Sequence, residues 1–99
     1  MPNRNYRAGR AREYEAMEIL RSEGWLANRS AGSHGAWDVA AAKDGRVLFV
    51  QVKKDSAKAK PEEIKELIHW AEEGLADAEI WTFRYRKGVE RKRIVSVHM

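Results

Sequence analysis

The sequence predicts an α/β domain: one mixed β-sheet flanked by helices, with elements in the order α-β-β-β-α-β-β. Three observations carry this reading. Val47 to Val52 (VLFVQV) is apolar on both faces, as expected of a central strand covered on both sides. The strand before it is joined to it through Lys43-Asp44-Gly45, and Asp-Gly between apolar runs is a strong hairpin signal. Two segments of helical periodicity, before and after these strands, each carry one apolar stripe.

In chain order, residues 1–8 offer little to bury and are expected to form a flexible basic arm, leaving residues 9–99 as a single domain. The first helix is expected from about Arg10 to Glu23, stopped by Gly24. On a helical wheel with Glu13 at zero, Ala16, Met17 and Leu20 fall within about 60° of it, while Glu15 and Glu18 face away. Glu13 therefore lies inside the apolar stripe, where a bare carboxylate is costly and needs an arginine, a proton or a ligand. Trp25 to Arg29 reads as a strand, followed by a glycine loop, Ser30 to Gly35, and a second strand from Trp37 to Ala42 with Asp38 at its head. Arg46 to Lys53 is the third strand. Residues 47, 49, 51 and 53 share one face, so Gln51 and Lys53 point the same way. After a basic loop, Pro61 opens a second helix, with Glu62 and Glu63 complementing its dipole and Ile64, Leu67, Ile68 and Ala71 forming its apolar face to about Gly74. Ala78 to Tyr85 and Arg91 to His98 are the last two strands, on either side of a turn at Arg86-Lys87-Gly88.

The 99-residue chain is long enough for one core. It contains no cysteine, which excludes disulfides, thiolate zinc sites and cysteine nucleophiles and suits a cytoplasmic protein. There is no apolar run of membrane-spanning length, so no membrane partner is expected. The net charge is +4 and unevenly spread: residues 1–12 hold Arg4, Arg7, Arg10 and Arg12 and no acid, while the remainder balances fifteen basic against fifteen acidic groups. Two further basic runs lie at Lys53 to Lys60 and Arg84 to Arg93. Clustered positive charge points to a polyanion, most often nucleic acid. Arg10 and Arg12, beside Glu13, are candidate phosphate contacts, and His34, in the glycine loop near Asp38, is a candidate contact to DNA phosphate. The three scattered histidines make no zinc site. Trp70 and Trp81 read as core or dimer-contact residues rather than base platforms.

Asp38 on one strand and Gln51-x-Lys53 on the next form an oxygen-rich end with a cation. Magnesium takes one or two carboxylates plus waters and phosphate oxygens. Asp38 supplies a carboxylate, Gln51 a side-chain carbonyl, the Val52 backbone C=O a further oxygen, and Glu13 a second carboxylate if its helix packs over this end. Lys53 would hold the scissile phosphate or orient water. The expected chemistry is phosphodiester hydrolysis with Mg²⁺, for which Mn²⁺ would substitute, and no other small-molecule cofactor.

From about Gly9 to Tyr85 the sequence also resembles a known family. The marks are Gly9-x-x-x-Glu13, Gly24-Trp25, Arg29-x-Ala31-Gly32-Ser33 before Asp38-Val39, and Gln51-Val52-Lys53. They are similar to those of the PD-(D/E)xK nucleases, a restriction-endonuclease-like fold, and within them the archaeal-type Holliday junction resolvases, which also occur in phages. The resemblance implies that Glu13, Asp38, Gln51 and Lys53 are the catalytic set, that Ser33 is the family's loop serine, and that a homodimer grips four-way DNA junctions and cuts two opposed strands. Arg4, Arg7, Arg29, Lys54, Lys58 and Lys60 complete the expected DNA contacts. Two departures stand out: Trp37 replaces the proline before Asp38, and Gln51 replaces an acid. The second removes a charge from the site and makes Glu13 more necessary. The alternatives are a non-catalytic junction-binding module and a flap or mismatch nuclease on the same fold.

Overall fold

A computed structural model describes residues 4–30, 36–55 and 57–97, with side chains from residue 10 onward. Its elements are α1 (Arg4–Ser22), β1 (Leu26–Arg29), β2 (Val39–Lys43), β3 (Arg46–Lys54), α2 (Pro61–Glu73), β4 (Asp77–Arg84) and β5 (Gly88–Val95). The predicted order is the observed one. The five strands form one sheet in the order β1-β2-β3-β4-β5. All neighbours are antiparallel except β3 and β4, which run parallel and are joined by the crossover through α2.

The largest departure in an element boundary is at α1, which begins at Arg4 rather than Arg10 and so runs through residues assigned above to a basic arm. No proline interrupts residues 5–8, and Ala and Arg are good helix formers, so the helix continues with Gly9 inside it. Its C-terminus behaves as expected. Gly24, at φ +94°, lets the Gly24 N–H donate to the Arg21 carbonyl and the Trp25 N–H donate to the Leu20 carbonyl, a Schellman arrangement that satisfies the last carbonyls. The β2–β3 connection is a two-residue loop, Asp44 at φ 52° and Gly45 at φ 77°, flanked by the Lys43↔Arg46 pair. Both positive φ values match the type I′ hairpin that Asp-Gly favours. The strand β5 is displaced by about three residues toward the N-terminus from its predicted span, because the turn falls at residues 85–87 and pairs Arg84 with Gly88.

The helices cover opposite faces. α1 packs Ala16, Met17 and Leu20 onto Val39, Ala41, Leu48, Val50, Trp81 and Phe83. α2 packs Leu67 and Ala71 onto Ala76, Ala78 and Ile80, with Trp37, Val47 and Phe49 at the margin. The strict alternation of Leu48 and Val50 against Val47 and Phe49 is the two-faced pattern read from the sequence, and β3 is the central strand. Trp81 is fully buried, its Nε1 donating to Glu79 Oε1 at 2.8 Å. Trp70 is not core: it is half exposed, with Nε1 on Glu66 Oε1. Much of the late basic run is neutralised locally, since Arg84 pairs with Glu90, Arg91 with Glu23, and Arg93 with Glu79 and Asp77. Among the described residues, no helix is long and apolar enough to cross a membrane.

Candidate metal and phosphate site

The site forms where β2 peels away from β3. Their pairing ends at Val39↔Val50, and the Asp38 N–H still donates to the Val50 carbonyl at 2.8 Å. Two residues further along β3 the neighbouring backbone has diverged, which would leave the Val52 N–H without a partner on that side. The Asp38 carboxylate takes its place, Oδ2 accepting the Val52 N–H at 2.8 Å. Asp38 thus acts as a side-chain continuation of the ladder, which fixes the carboxyl against the end of β3.

Gln51 follows on the face toward α2 and is 8% exposed. Its Oε1 is fully buried and, among the described residues, has no hydrogen-bond partner. An orphaned buried carbonyl costs roughly 1–3 kcal/mol, so this oxygen is open to a further partner. Lys53, on the same face, reaches Glu63 at the start of α2, with Nζ 2.9 Å from Oε2 and 3.2 Å from Oε1. Glu63 also accepts the Lys60 backbone N–H at 2.8 Å, one of the donors exposed at the start of the helix. Burial alone would push the Glu63 carboxyl up, but the Lys60 N–H and the Lys53 ammonium outweigh it and hold its pKa below the ordinary value. Glu63 thus does more than complement the helix dipole, the role its position in the sequence predicts. Glu63 is the third residue of the helix, three positions after Lys60, and that spacing is the signal in the sequence for a capping contact, whereas its reach to Lys53 depends on the fold.

Glu13 is carried by α1, about a fifth exposed, and accepts a hydrogen bond from Arg29 Nη1 at 3.0 Å. Arg29 ends β1, where it pairs with Val39 and also lies over the Tyr14 ring at 5.1 Å. Glu13 lies in the apolar stripe of α1, as its helical spacing predicts, and an arginine satisfies it there. Asp38 feels the site as a whole. Burial raises its pKa to about 6; the Val52 N–H acts against that rise, the negative charge of Glu13 adds to it, Lys53 lowers it, and Glu63 adds again. Asp38, Gln51, Val52 and Lys53 are therefore brought together at one end of the sheet, with Glu13 and Glu63 contributed from opposite helices.

The expected DNA contacts are more dispersed. Arg10 is exposed on α1, and Arg12 pairs with Glu15 at 2.6 Å. Lys58 and Lys60 are exposed in the loop before α2, and Lys54 turns to the α1 side of the sheet. Ser33 and His34, and the side chains of Arg4 and Arg7, lie outside the described residues. Among the described residues, no group of three or more His, Asp or Glu side chains forms a metal cluster by itself. Asp38 and the unsatisfied buried Gln51 Oε1, with the Glu13 and Glu63 carboxylates near enough to act on Asp38, form a hard oxygen set that suits a cation completed by water and phosphate.

A family model for the archaeal Holliday junction resolvases (Hjc) matches residues 4–96. The chain belongs to the archaeal Holliday junction resolvase family. Among solved structures, the resolvase Hjc from the hyperthermophile Archaeoglobus fulgidus aligns with a TM-score of 0.78 at 21% identity, covering 87% of this chain and 72% of that one. A bacterial homing endonuclease, I-Ssp6803I, aligns with a TM-score of 0.45 at 18% identity over 88% of this chain and 51% of that one. Comparison with curated proteins found no match. The fold expected of a restriction-endonuclease-like resolvase is the fold observed, with Gln51 where that family's resemblance implies an acid.

Proposed function

We propose that this resolvase is a metal-dependent, structure-selective endonuclease that hydrolyses phosphodiesters of four-way DNA junctions in paired, symmetric cuts as a homodimer. The observation that carries the reading is the presence at one strand end of both Asp38, fixed by the Val52 N–H, and the orphaned Gln51 Oε1. Asp38, Gln51 Oε1 and the Val52 carbonyl would hold a Mg²⁺ or Mn²⁺ ion, with Glu13 joining them on release from Arg29. Where bound, the cation would polarise the scissile phosphate and lower the pKa of an attacking water.

The chain's own residues prepare the rest. Above about pH 6 the Asp38 carboxyl is ionised and able to ligate. Lys53 presents an ammonium whose present counter-charge is Glu63, and an incoming phosphate would compete for it. Two symmetric cuts require two sites related by a two-fold axis, which is the reason for the dimer.

A second reading, a junction-binding module without cleavage, is favoured by Glu13 being held by Arg29 while Gln51 is neutral. Incubating four-way junctions, flaps and linear duplex with Mg²⁺ or Mn²⁺ separates the readings. Paired cuts in the junction support the first. Tight junction binding with no cut in either metal would remove it.

A further inference from the structure

The β4–β5 turn has no role in the chemistry above, yet it forms one wall of a cleft of about 460 Å³. Arg12 and Glu15 of α1, Lys54 at the end of β3, Arg84 at the end of β4, and Tyr85 and Arg86 of the turn line it. The walls are tied to one another. The Asp55 N–H donates to the Phe83 carbonyl at 2.7 Å, and the Tyr85 N–H donates to Asp55 Oδ1 at 3.1 Å. The turn is therefore held against the end of β3.

The charge in the cleft is not balanced. Glu15 is taken by Arg12, Asp55 accepts a backbone N–H, and Arg84 has Glu90 as its partner. Lys54 and Arg86 have no carboxylate partner among the described residues. Arg86, at φ 60°, lies over the Tyr85 ring at 5.2 Å, and Tyr85 is 75% exposed. The ring stacks one face of the guanidinium and leaves its N–H donors for an anion. The cleft adjoins the candidate site through two sequence neighbours, since Lys54 follows Lys53 and Arg12 precedes Glu13. Lys53 and Lys54 leave β3 on opposite faces, so one strand end offers a cation to each side.

We infer that this cleft is a second phosphodiester-binding site, in which Lys54 and Arg86 hold the backbone of a junction arm beside the strand that is cut. The inference rests on the reading of the chain as a junction nuclease. It adds an arm contact made by the β4–β5 turn, in which the partner is the sugar-phosphate backbone rather than base edges. Such a contact orients a branched substrate without reading its sequence.

The test is metal-free binding of the full chain to a labelled four-way junction across a salt series, followed by fluorescence anisotropy. Each phosphate contact contributes about 0.9 to the slope of log K against log salt. The Lys54→Gln/Arg86→Gln variant should lose about 2 from that slope and bind roughly tenfold more weakly at moderate salt, with its melting temperature unchanged. Arg86→Lys should keep the slope, and Lys65→Gln, on the exposed side of α2, should match the wild type. A double variant with wild-type slope would overturn the cleft contact while leaving junction binding intact. A weaker double variant without a slope change would also overturn it, since the loss would then not be of phosphate contacts. A wild-type chain that binds no junction would overturn both this inference and the functional reading on which it rests.

Discussion

Lys53 Nζ lies 2.9 Å from Glu63 Oε2, joining the end of the central strand to the first turn of α2. The pair is partly buried, and it places a negative group where the proposed scissile phosphate would meet the lysine. Glu63→Gln should therefore bind a four-way junction several-fold more tightly without metal, because one repulsive charge is removed. The same change leaves Lys53 less well held and should slow cleavage by roughly tenfold. Thermal stability should fall by about 1 kcal/mol, the usual scale for a partly exposed pair. Equal binding by variant and wild type would show that Glu63 does not face the DNA.

Asp38→Asn should abolish cleavage and spare junction binding, since the shape and the Val52 contact are kept while the charge is lost. It should also make the metal-free protein more stable at pH 8. Burial raises the Asp38 pKa from 3.8 to about 6, so the folded state binds this proton more tightly than the unfolded chain. The corresponding stability is present at low pH, is lost as pH rises from about 4 to about 6, and leaves a penalty of up to about 3 kcal/mol above that. Melting curves in chelator at pH 5 and pH 8 check it: the variant's advantage should appear at pH 8 and shrink at pH 5.

Gln51→Glu should tighten divalent-metal binding by about tenfold or more, because a second charge joins Asp38. The same substitution buries a carboxylate beside another and should lower metal-free stability by a few kcal/mol. The measurement is the melting temperature with and without Mg²⁺. The metal-induced rise should be larger in the variant than in the wild type.

Glu13→Gln should reduce cleavage by roughly a hundredfold, whereas Glu15→Gln, which breaks only a surface pair with Arg12, should change it less than twofold. Single-turnover rates at saturating metal decide the comparison. Similar losses for both would remove Glu13 from the site.

The sequence exposed the local determinants well. Asp44-Gly45 specified its hairpin, Gly24 its helix end, and the VLFVQV run its central position, because each depends on backbone preference or on a period visible within a few residues. The wheel located Glu13 correctly in the apolar stripe but left its partner open. Arg29 is sixteen residues away and meets Glu13 only once β1 packs against α1. Glu63 was assigned to the helix dipole because its contact with Lys53 exists only after the crossover folds back over the sheet. The orphaned Gln51 oxygen was equally hidden, since burial of a single atom follows from packing on both faces. The early start of α1 reflects the continued helix preference of residues 5–8, in a stretch where low apolar content argued for fraying.

The exposed Asp44-Gly45 hairpin lies at the end of the sheet remote from Asp38 and Gln51. Because the chain has no cysteine, a thiol introduced at Asp44 would be chemically unique. A fluorophore attached there would stand clear of both the metal-site residues and the basic cleft. It would report the rotation of the molecule as DNA arrives, so that substrate capture could be timed separately from strand cutting.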